Sequence, residues 1–297
     1  MSFRFKKTTL AVLVLAAAAF CFLFGSCVGS ASSASAEPSV QASTSPESEP
    51  SASPGVQEKA TERPGTSPGL SSSPSASPAA GAKVAYLTFD DGPSKLTPEL
   101  LDTLEKCNVH ATFFVVGLNA QKYPDTLRRM VGDGDVIGVH SWTHNYAYIY
   151  KNTANFLADF NKLKDYITTT TGITPDICRF PGGTNNTVCF QYNKAHIMKT
   201  IVSLVRNMGF QYYDWNVSSG EAASAPPSKD EIISSVVSQC KGKKIAVILF
   251  HDTDNQDYVD SIPEIVSQLS ALGFTFDTLS PTDPSPVKAA SVQFKPS

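Results

Sequence analysis

The run Thr88-Phe89-Asp90-Asp91-Gly92-Pro93 closes an apolar stretch with two adjacent carboxylates. Leaving a buried strand side by side, such groups repel each other and lose water, so they need a cation or a proton. One can bind a metal ion while the other acts as a base, and Gly92-Pro93 then turns the backbone. A second cluster is His140-Ser141-Trp142-Thr143-His144. Two histidines four apart reach one ion from a helical face or a tight loop, and the chain has only 5 histidines. Two neutral imidazoles with a carboxylate make an open zinc set that leaves positions for water and substrate.

Arg179-Phe180-Pro181-Gly182-Gly183 supplies a guanidinium able to orient a carboxylate through a two-pronged hydrogen bond. Its glycines let a backbone N–H approach a developing oxyanion. Leu249-Phe250-His251-Asp252 offers a histidine that is either a satisfied core residue or a general acid. His110 and His196 lack such placement and read as structural. Trp142, Tyr146 and Trp215 suit either stacking on sugar rings or packing. No G-x-S-x-G elbow supports a serine hydrolase. Without a CxxC, a thiolate metal site is not expected.

These residues sit at the ends of short apolar runs. Strands are expected at Val84–Phe89, Thr112–Val116, Val136–Val139, Ile177–Phe180, Gln211–Trp215, Ile245–Phe250 and Thr275–Leu279. Helical patterns lie between them at Thr97–Lys106, Tyr123–Asp133, Thr153–Thr170, Lys194–Met208, Lys229–Gln239 and Ser261–Leu272. Thr97 reads as an N-cap ahead of Pro98 and Glu99, and Gly209 and Gly273 as C-terminal glycines. The alternation predicts an α/β fold of about seven strands, a closed or nearly closed barrel. In such a barrel all the strands' carboxyl ends open on one face, where sites are built. Asp90, Asp91, His140, Arg179, Asp214 and His251 would converge there.

The folded part is confined to 83–283, with a tail at 284–297. No aromatic residue occurs between Phe24 and Tyr86, so the Ser/Pro/Ala-rich stretch 29–82 cannot bury enough surface to order itself and reads as a disordered tether. Segment 1–28 opens with Arg4, Lys6 and Lys7 ahead of the apolar run Leu10–Phe24, the order of an export signal. It is expected to serve as an uncleaved anchor, a signal cleaved near Ala34-Ser35-Ala36, or a lipid attachment at Cys27. In each case the body is expected to be extracytoplasmic, membrane-anchored facing the cell wall or secreted. Cys107, Cys178, Cys189 and Cys240 could then form disulfides in any of three pairings. The net charge of −3 argues against nucleic acid, which needs clustered Lys and Arg.

In order along the chain, Thr88–Pro93, His140–His144, Arg179–Gly183, Asp214–Trp215 and Leu249–His251 resemble the motifs of the NodB-homology polysaccharide deacetylases, carbohydrate esterase family 4. The resemblance covers about residues 83–280. It implies a distorted (β/α) barrel and one divalent ion, zinc above all with Co2+ or Mn2+ as alternatives, held by Asp91, His140 and His144. Asp90 would be the base, Arg179 its positioning partner and His251 the acid; Pro181, Gly182 and Trp215 would line the oxyanion and substrate side. Two positions depart from the pattern. Gly182 stands where the family often has tyrosine, and Ser218 where it often has the aspartate that tunes the acid histidine. Asp214 or Glu221 could take that second role.

The implied reaction is metal-assisted removal of N-acetyl groups from a polysaccharide, releasing acetate, with N-acetylglucosamine of peptidoglycan as the expected substrate. A chitin-oligomer deacetylase and an O-acetyl xylan esterase would use the same site. A non-catalytic wall-binding protein on the same fold is the alternative of another class. The expected partners are the glycan and, if the N-terminal segment is retained, the membrane; the chain is expected to act as a monomer.

Overall fold

The computed structural model describes residues 82–194, 197–220 and 225–281. The export segment, the tether through residue 81, the tail 284–297, His196 and Glu221 lie outside those residues. Among the described residues no helix is long and apolar enough to cross a membrane.

The folded unit is a sheet of eight parallel strands. At its centre is β1 (Lys83–Asp90), paired along its length with β7 (Ile245–His251). The other edge of β1 is shared, with β8 (Phe274–Phe276) at its start and β2 (Thr112–Val116) at its end. Beyond β2 the order runs through β3 (Val136–Ser141), β4 (Ile177–Cys178) and β5 (Gln211–Tyr212), and beyond β7 lies β6 (Val217–Ser218).

Strands β5 and β6 stand at opposite ends of this order, yet only Tyr213–Asn216 separates them in sequence. A flat array of seven strands would hold them about 29 Å apart at about 4.8 Å per strand. The connection reaches roughly 17 Å at most. The sheet therefore curls into a distorted barrel closed by chain rather than by a β5–β6 ladder. The expected seven strands become eight because Val217–Ser218, too short to show a period in sequence, joins the edge of β7.

Residues alternate between two cores, as the period of two requires. Ala85, Leu87 and Phe89 of β1, Phe113 and Val115 of β2, Ile137 and Val139 of β3, and Ala246, Ile248 and Phe250 of β7 join the core under the helices. Val84, Tyr86, Phe114, Ile177, Tyr213, Val247 and Leu279 fill the inside of the curl. Burial on both faces explains why the strands read as continuous apolar runs. Helices α1 (Thr97–Lys106), α3 (Pro124–Asp133), α5 (Thr153–Thr171), α6 (Ile197–Asn207), α7 (Lys229–Cys240) and α8 (Gln256–Ala271) pack side by side around the outside. Short α2 (Gly117–Ala120) and α4 (Tyr146–Ile149) follow β2 and β3.

Some local expectations change. Leu96, not Thr97, is the N-cap of α1. The Thr97 hydroxyl is used elsewhere: it accepts from Ser94 N at 2.7 Å and donates to Asp252 Oδ2 at 2.6 Å. Helix α8 begins at Gln256 rather than Ser261, because the Asn255 side chain caps it by accepting from Asp257 N at 2.9 Å. Pro263 is exposed inside that helix, where solvent can take the carbonyl its missing N–H leaves. Gly209 and Gly273 adopt positive φ just after α6 and α8, as expected. Cys107, Cys178, Cys189 and Cys240 are all unpaired thiols. Burial pushes each of them up from the usual thiol range, so they act as small apolar groups.

Candidate metal centre and active site

The inward faces of the strands continue into the site. Val84, Tyr86 and Thr88 precede Asp90 on β1; Val136 and Gly138 precede His140 on β3; Val247 and Leu249 precede His251 on β7. Successive strand residues point to opposite faces, so Asp91 would turn away from Asp90 if the strand ran on. Instead Asp91 has φ 73°, a left-handed conformation costly for a non-glycine residue. This brings the second carboxylate to the same side. Asn119 of α2 fixes the turn by donating to Asp91 O at 2.9 Å.

Asp91 Oδ1 lies 3.5 Å from His140 Nε2 and 3.3 Å from His144 Nε2. It is buried and has no hydrogen-bond partner, which is costly for a carboxylate oxygen unless a cation satisfies it. The His140 Nδ1 contacts Arg179 O at 2.7 Å. A carbonyl only accepts, so Nδ1 carries the proton and Nε2 keeps its lone pair. Burial lowers the His140 pKa, opposed by Asp90 and Asp91, so the ring stays neutral as a ligand must. Atoms bound to zinc at about 2.0–2.1 Å in a tetrahedral array lie roughly 3.4 Å apart. The Asp91, His140 and His144 ligand atoms, all within 4.8 Å of one another, fit a divalent ion with open positions.

Asp90 is treated differently. Arg179, fully buried, donates from Nη1 to Asp90 Oδ1 at 2.8 Å and to Thr88 Oγ1 at 2.8 Å. Its Nε donates to Tyr213 O at 3.0 Å and its Nη2 to Asp214 O at 3.4 Å. The guanidinium also lies 4.3 Å from the Phe114 ring centroid. A Cβ on Gly138 would come within 2.6 Å of that ring, so the glycine makes room for the arginine's platform. With Oδ1 held, Asp90 Oδ2 remains, 4.0 Å from His140 Nε2.

Two buried acids complete the site, and sequence reasoning gave neither a role. Asp159 of α5 accepts from Ser141 Oγ at 2.7 Å, Trp142 N at 2.7 Å, Thr143 N at 3.0 Å and Thr143 Oγ1 at 2.7 Å. Ser141 Oγ in turn accepts from His144 N at 2.9 Å, holding His144 at φ 52°. Asp252 accepts from Ser94 Oγ at 2.8 Å, Thr97 Oγ1 at 2.6 Å and Tyr258 OH at 2.9 Å, and its N–H donates to Asp90 O at 2.7 Å. Burial raises its pKa, against the pull of those hydroxyls. Asp252 thereby ties the exit of β1 to the exit of β7, beside His251. The available signal for Asp159 was an acid in line with Phe156, Phe160 and Leu163 on the apolar side of a helix.

His251 ends β7 opposite Asp90 in the ladder, half-buried, with its Nδ1 sealed from solvent. Of the expected tuning partners, Glu221 lies outside the described residues, and Asp214 and Ser218 bond to other groups. The Asp214 carboxylate accepts from Thr184 N at 2.9 Å and from Thr184 Oγ1, so it braces the loop after Pro181. Ser218 Oγ accepts from Gly220 N at 3.3 Å, while its backbone bonds Gln239 and Ser235 of α7. Pro181 is buried and Gly182 exposed at φ 78°. Trp215 is half-buried, packs on Gly183 and sits 5.7 Å from Arg179. Trp142 is core: its ring lies over Gly117 and against Tyr166, with Lys162 4.2 Å above it. His110 is exposed at the start of β2, away from the site.

Carboxylate–imidazole ligands, an arginine-held second carboxylate and a nearby histidine, all at the carboxyl ends of parallel strands, define a metal-dependent hydrolase. Comparison with known proteins narrows the class. The family model described as polysaccharide deacetylase matches residues 77–201. A peptidoglycan-N-acetylglucosamine deacetylase of Bacillus cereus is 32% identical over 204 residues, 66% of this chain and 68% of that one. A peptidoglycan-N-acetylmuramic acid deacetylase of Bacillus subtilis is 34% identical over 200 residues, 67% of this chain and 38% of that one. The crystal structure of the catalytic domain of a peptidoglycan N-acetylglucosamine deacetylase from Eubacterium rectale superposes with a TM-score of 0.66 at 37% identity, covering 70% of this chain and 94% of that one. The chain belongs to the polysaccharide deacetylase family, metal-dependent hydrolases of N-acetyl groups.

Proposed function

We propose that this enzyme removes acetyl groups from N-acetylglucosamine residues of peptidoglycan, using zinc, on the outer side of the membrane. The observation that carries the chemistry is the orphaned Asp91 Oδ1 facing two imidazole nitrogens beside an arginine-held Asp90. The glycan is supported by the names of the similar proteins. The outer location is supported by the basic and apolar start of the chain and its Ser/Pro/Ala-rich continuation.

Asp91, His140 and His144 would hold a divalent ion, which would supply Lewis-acid polarisation of the acetyl carbonyl and lower the pKa of the attacking water. Asp90 Oδ2 takes the water's proton while Arg179 keeps the carboxylate from rotating. The Gly182 N–H donates to the oxygen that gains charge as water adds. His251 delivers a proton to the leaving amine nitrogen as the C–N bond breaks. The products are acetate and a glucosamine-type residue.

The test is acetate release by the purified full chain, loaded with Zn2+, Co2+ or Mn2+, from peptidoglycan, chitin oligomers and acetylated xylan. Fastest release from peptidoglycan is expected, highest with zinc. Acetate from xylan but not from wall glycan would overturn the substrate. Full activity after a chelator has stripped the ion would overturn the mechanism.

A further inference from the structure

That mechanism leaves Tyr146 unused. The Tyr146 hydroxyl lies 2.9 Å from where a Cβ on Gly182 would stand, and the Asn186 amide nitrogen 3.1 Å from it. Its ring meets His144 edge-on, with centroids 5.4 Å apart and planes at 74°, and meets Tyr150 in the same way at 5.4 Å. Tyr150 OH donates to Pro181 O at 2.6 Å, and Asn186 Nδ2 donates to the same oxygen at 3.1 Å. The phenol is thus wedged between His144, a candidate metal ligand, and Gly182, whose N–H the proposed mechanism assigns to the acetyl oxygen. Tyr146 is half-buried, and among the described residues its hydroxyl makes no hydrogen bond. A fixed ring carrying an idle O–H at the wall of a reaction site is a preorganised donor, since nothing need reorganise when charge appears in front of it.

We propose that the Tyr146 hydroxyl is a second donor to the acetyl oxygen, beside the Gly182 N–H. It reaches the site from α4 and fills the ground a side chain at position 182 would occupy. This explains why that position is glycine: any Cβ there would press on the phenol oxygen, at a φ of 78° that already strains other residues. Because the bond strengthens as the carbonyl oxygen gains charge, it acts on turnover rather than on ground-state binding.

The inference rests on the amide-hydrolysis reading above, so its test runs on whichever glycan of the panel the wild-type chain deacetylates fastest. Tyr146→Phe removes one oxygen and keeps the packed ring. The expected result is a kcat about 10- to 100-fold lower, KM within about twofold, and Zn2+ affinity unchanged. Affinity for a tetrahedral methylphosphonamidate analogue of the N-acetyl group should fall by about the same factor as kcat. An unchanged kcat, a change in KM alone, or weakened Zn2+ binding would overturn the proposal, the last by making Tyr146 a support for His144. Failure of the wild type on peptidoglycan would overturn only the substrate, leaving this ratio readable on another glycan.

Discussion

Asp90 and Asp91 carry the same side chain, and the fold separates their roles. Asp90 keeps strand geometry and meets a buried guanidinium; Asp91, turned left-handed, meets two imidazoles. Asp90→Asn should retain Zn2+ affinity within a few-fold, because none of the three ligands changes. Its kcat should fall by about 10²- to 10⁴-fold, the worth of a positioned base, and its stability by about 3 kcal/mol, because Arg179 keeps its burial and loses its counter-charge. Metal titration, acetate release and urea unfolding read the three effects separately. His144→Ala should do the reverse: stability nearly kept, Zn2+ affinity weakened by more than the ~10- to 100-fold that loss of an outer partner costs. At this scale much was legible in sequence. Asp90, His140 and His251 end apolar runs, and a period of two places each on the inside. The left-handed turn at Asp91 was not, because no residue type in Asp-Asp-Gly requires it.

The loop carrying His144 is shaped by the long helix that follows it. Helix α5 lends Asp159, whose two oxygens gather four donors from Ser141, Trp142 and Thr143. An amide there can accept from some of them but must turn an N–H₂ toward the rest. Asp159→Asn should therefore cost about 2–3 kcal/mol, the scale of a buried donor left unmade and a charge-assisted bond lost. It should also weaken Zn2+ binding about tenfold through His144. Excess Zn2+ should restore most of the turnover; if kcat stays low at saturating metal, Asp159 does more than shape the ligand loop. Sequence pattern located the helix and its apolar side, yet an acid on that side has no visible partner until the loop folds back over it. The same holds for Asp252, whose partners Ser94 and Thr97 follow the first strand, and for β6, whose two residues pair only once β7 is in place. Elements defined by local period were readable, whereas contacts defined by closure of the barrel were not.

The whole molecule divides its barrel by end. At the carboxyl ends the buried charges are matched to one another beside the candidate metal site; at the amino ends a buried acid has a backbone N–H as its partner. Asp135 sits there, just before β3, buried, with Oδ1 accepting from Ala111 N at 2.8 Å at the start of β2. Burial pushes its carboxyl up to about 6, although the Ala111 N–H and nearby His110 pull it down. A raised acid stabilises the fold fully only below its unfolded pKa, and that contribution is lost as pH rises through the folded value. Between about pH 4 and 6, therefore, this group makes the protein less stable as pH increases. Asp135→Asn keeps an oxygen for Ala111 and never ionises, so it escapes the loss. In urea unfolding, the stability of Asp135→Asn relative to wild type should grow by about 2 kcal/mol between pH 4.5 and pH 7.5. A difference that stays flat across that range would mean that Asp135 ionises in the fold as easily as in the open chain, and that water reaches the amino end of the barrel. Acetate release should be the same for both proteins at either pH, since the site lies at the opposite ends of these strands.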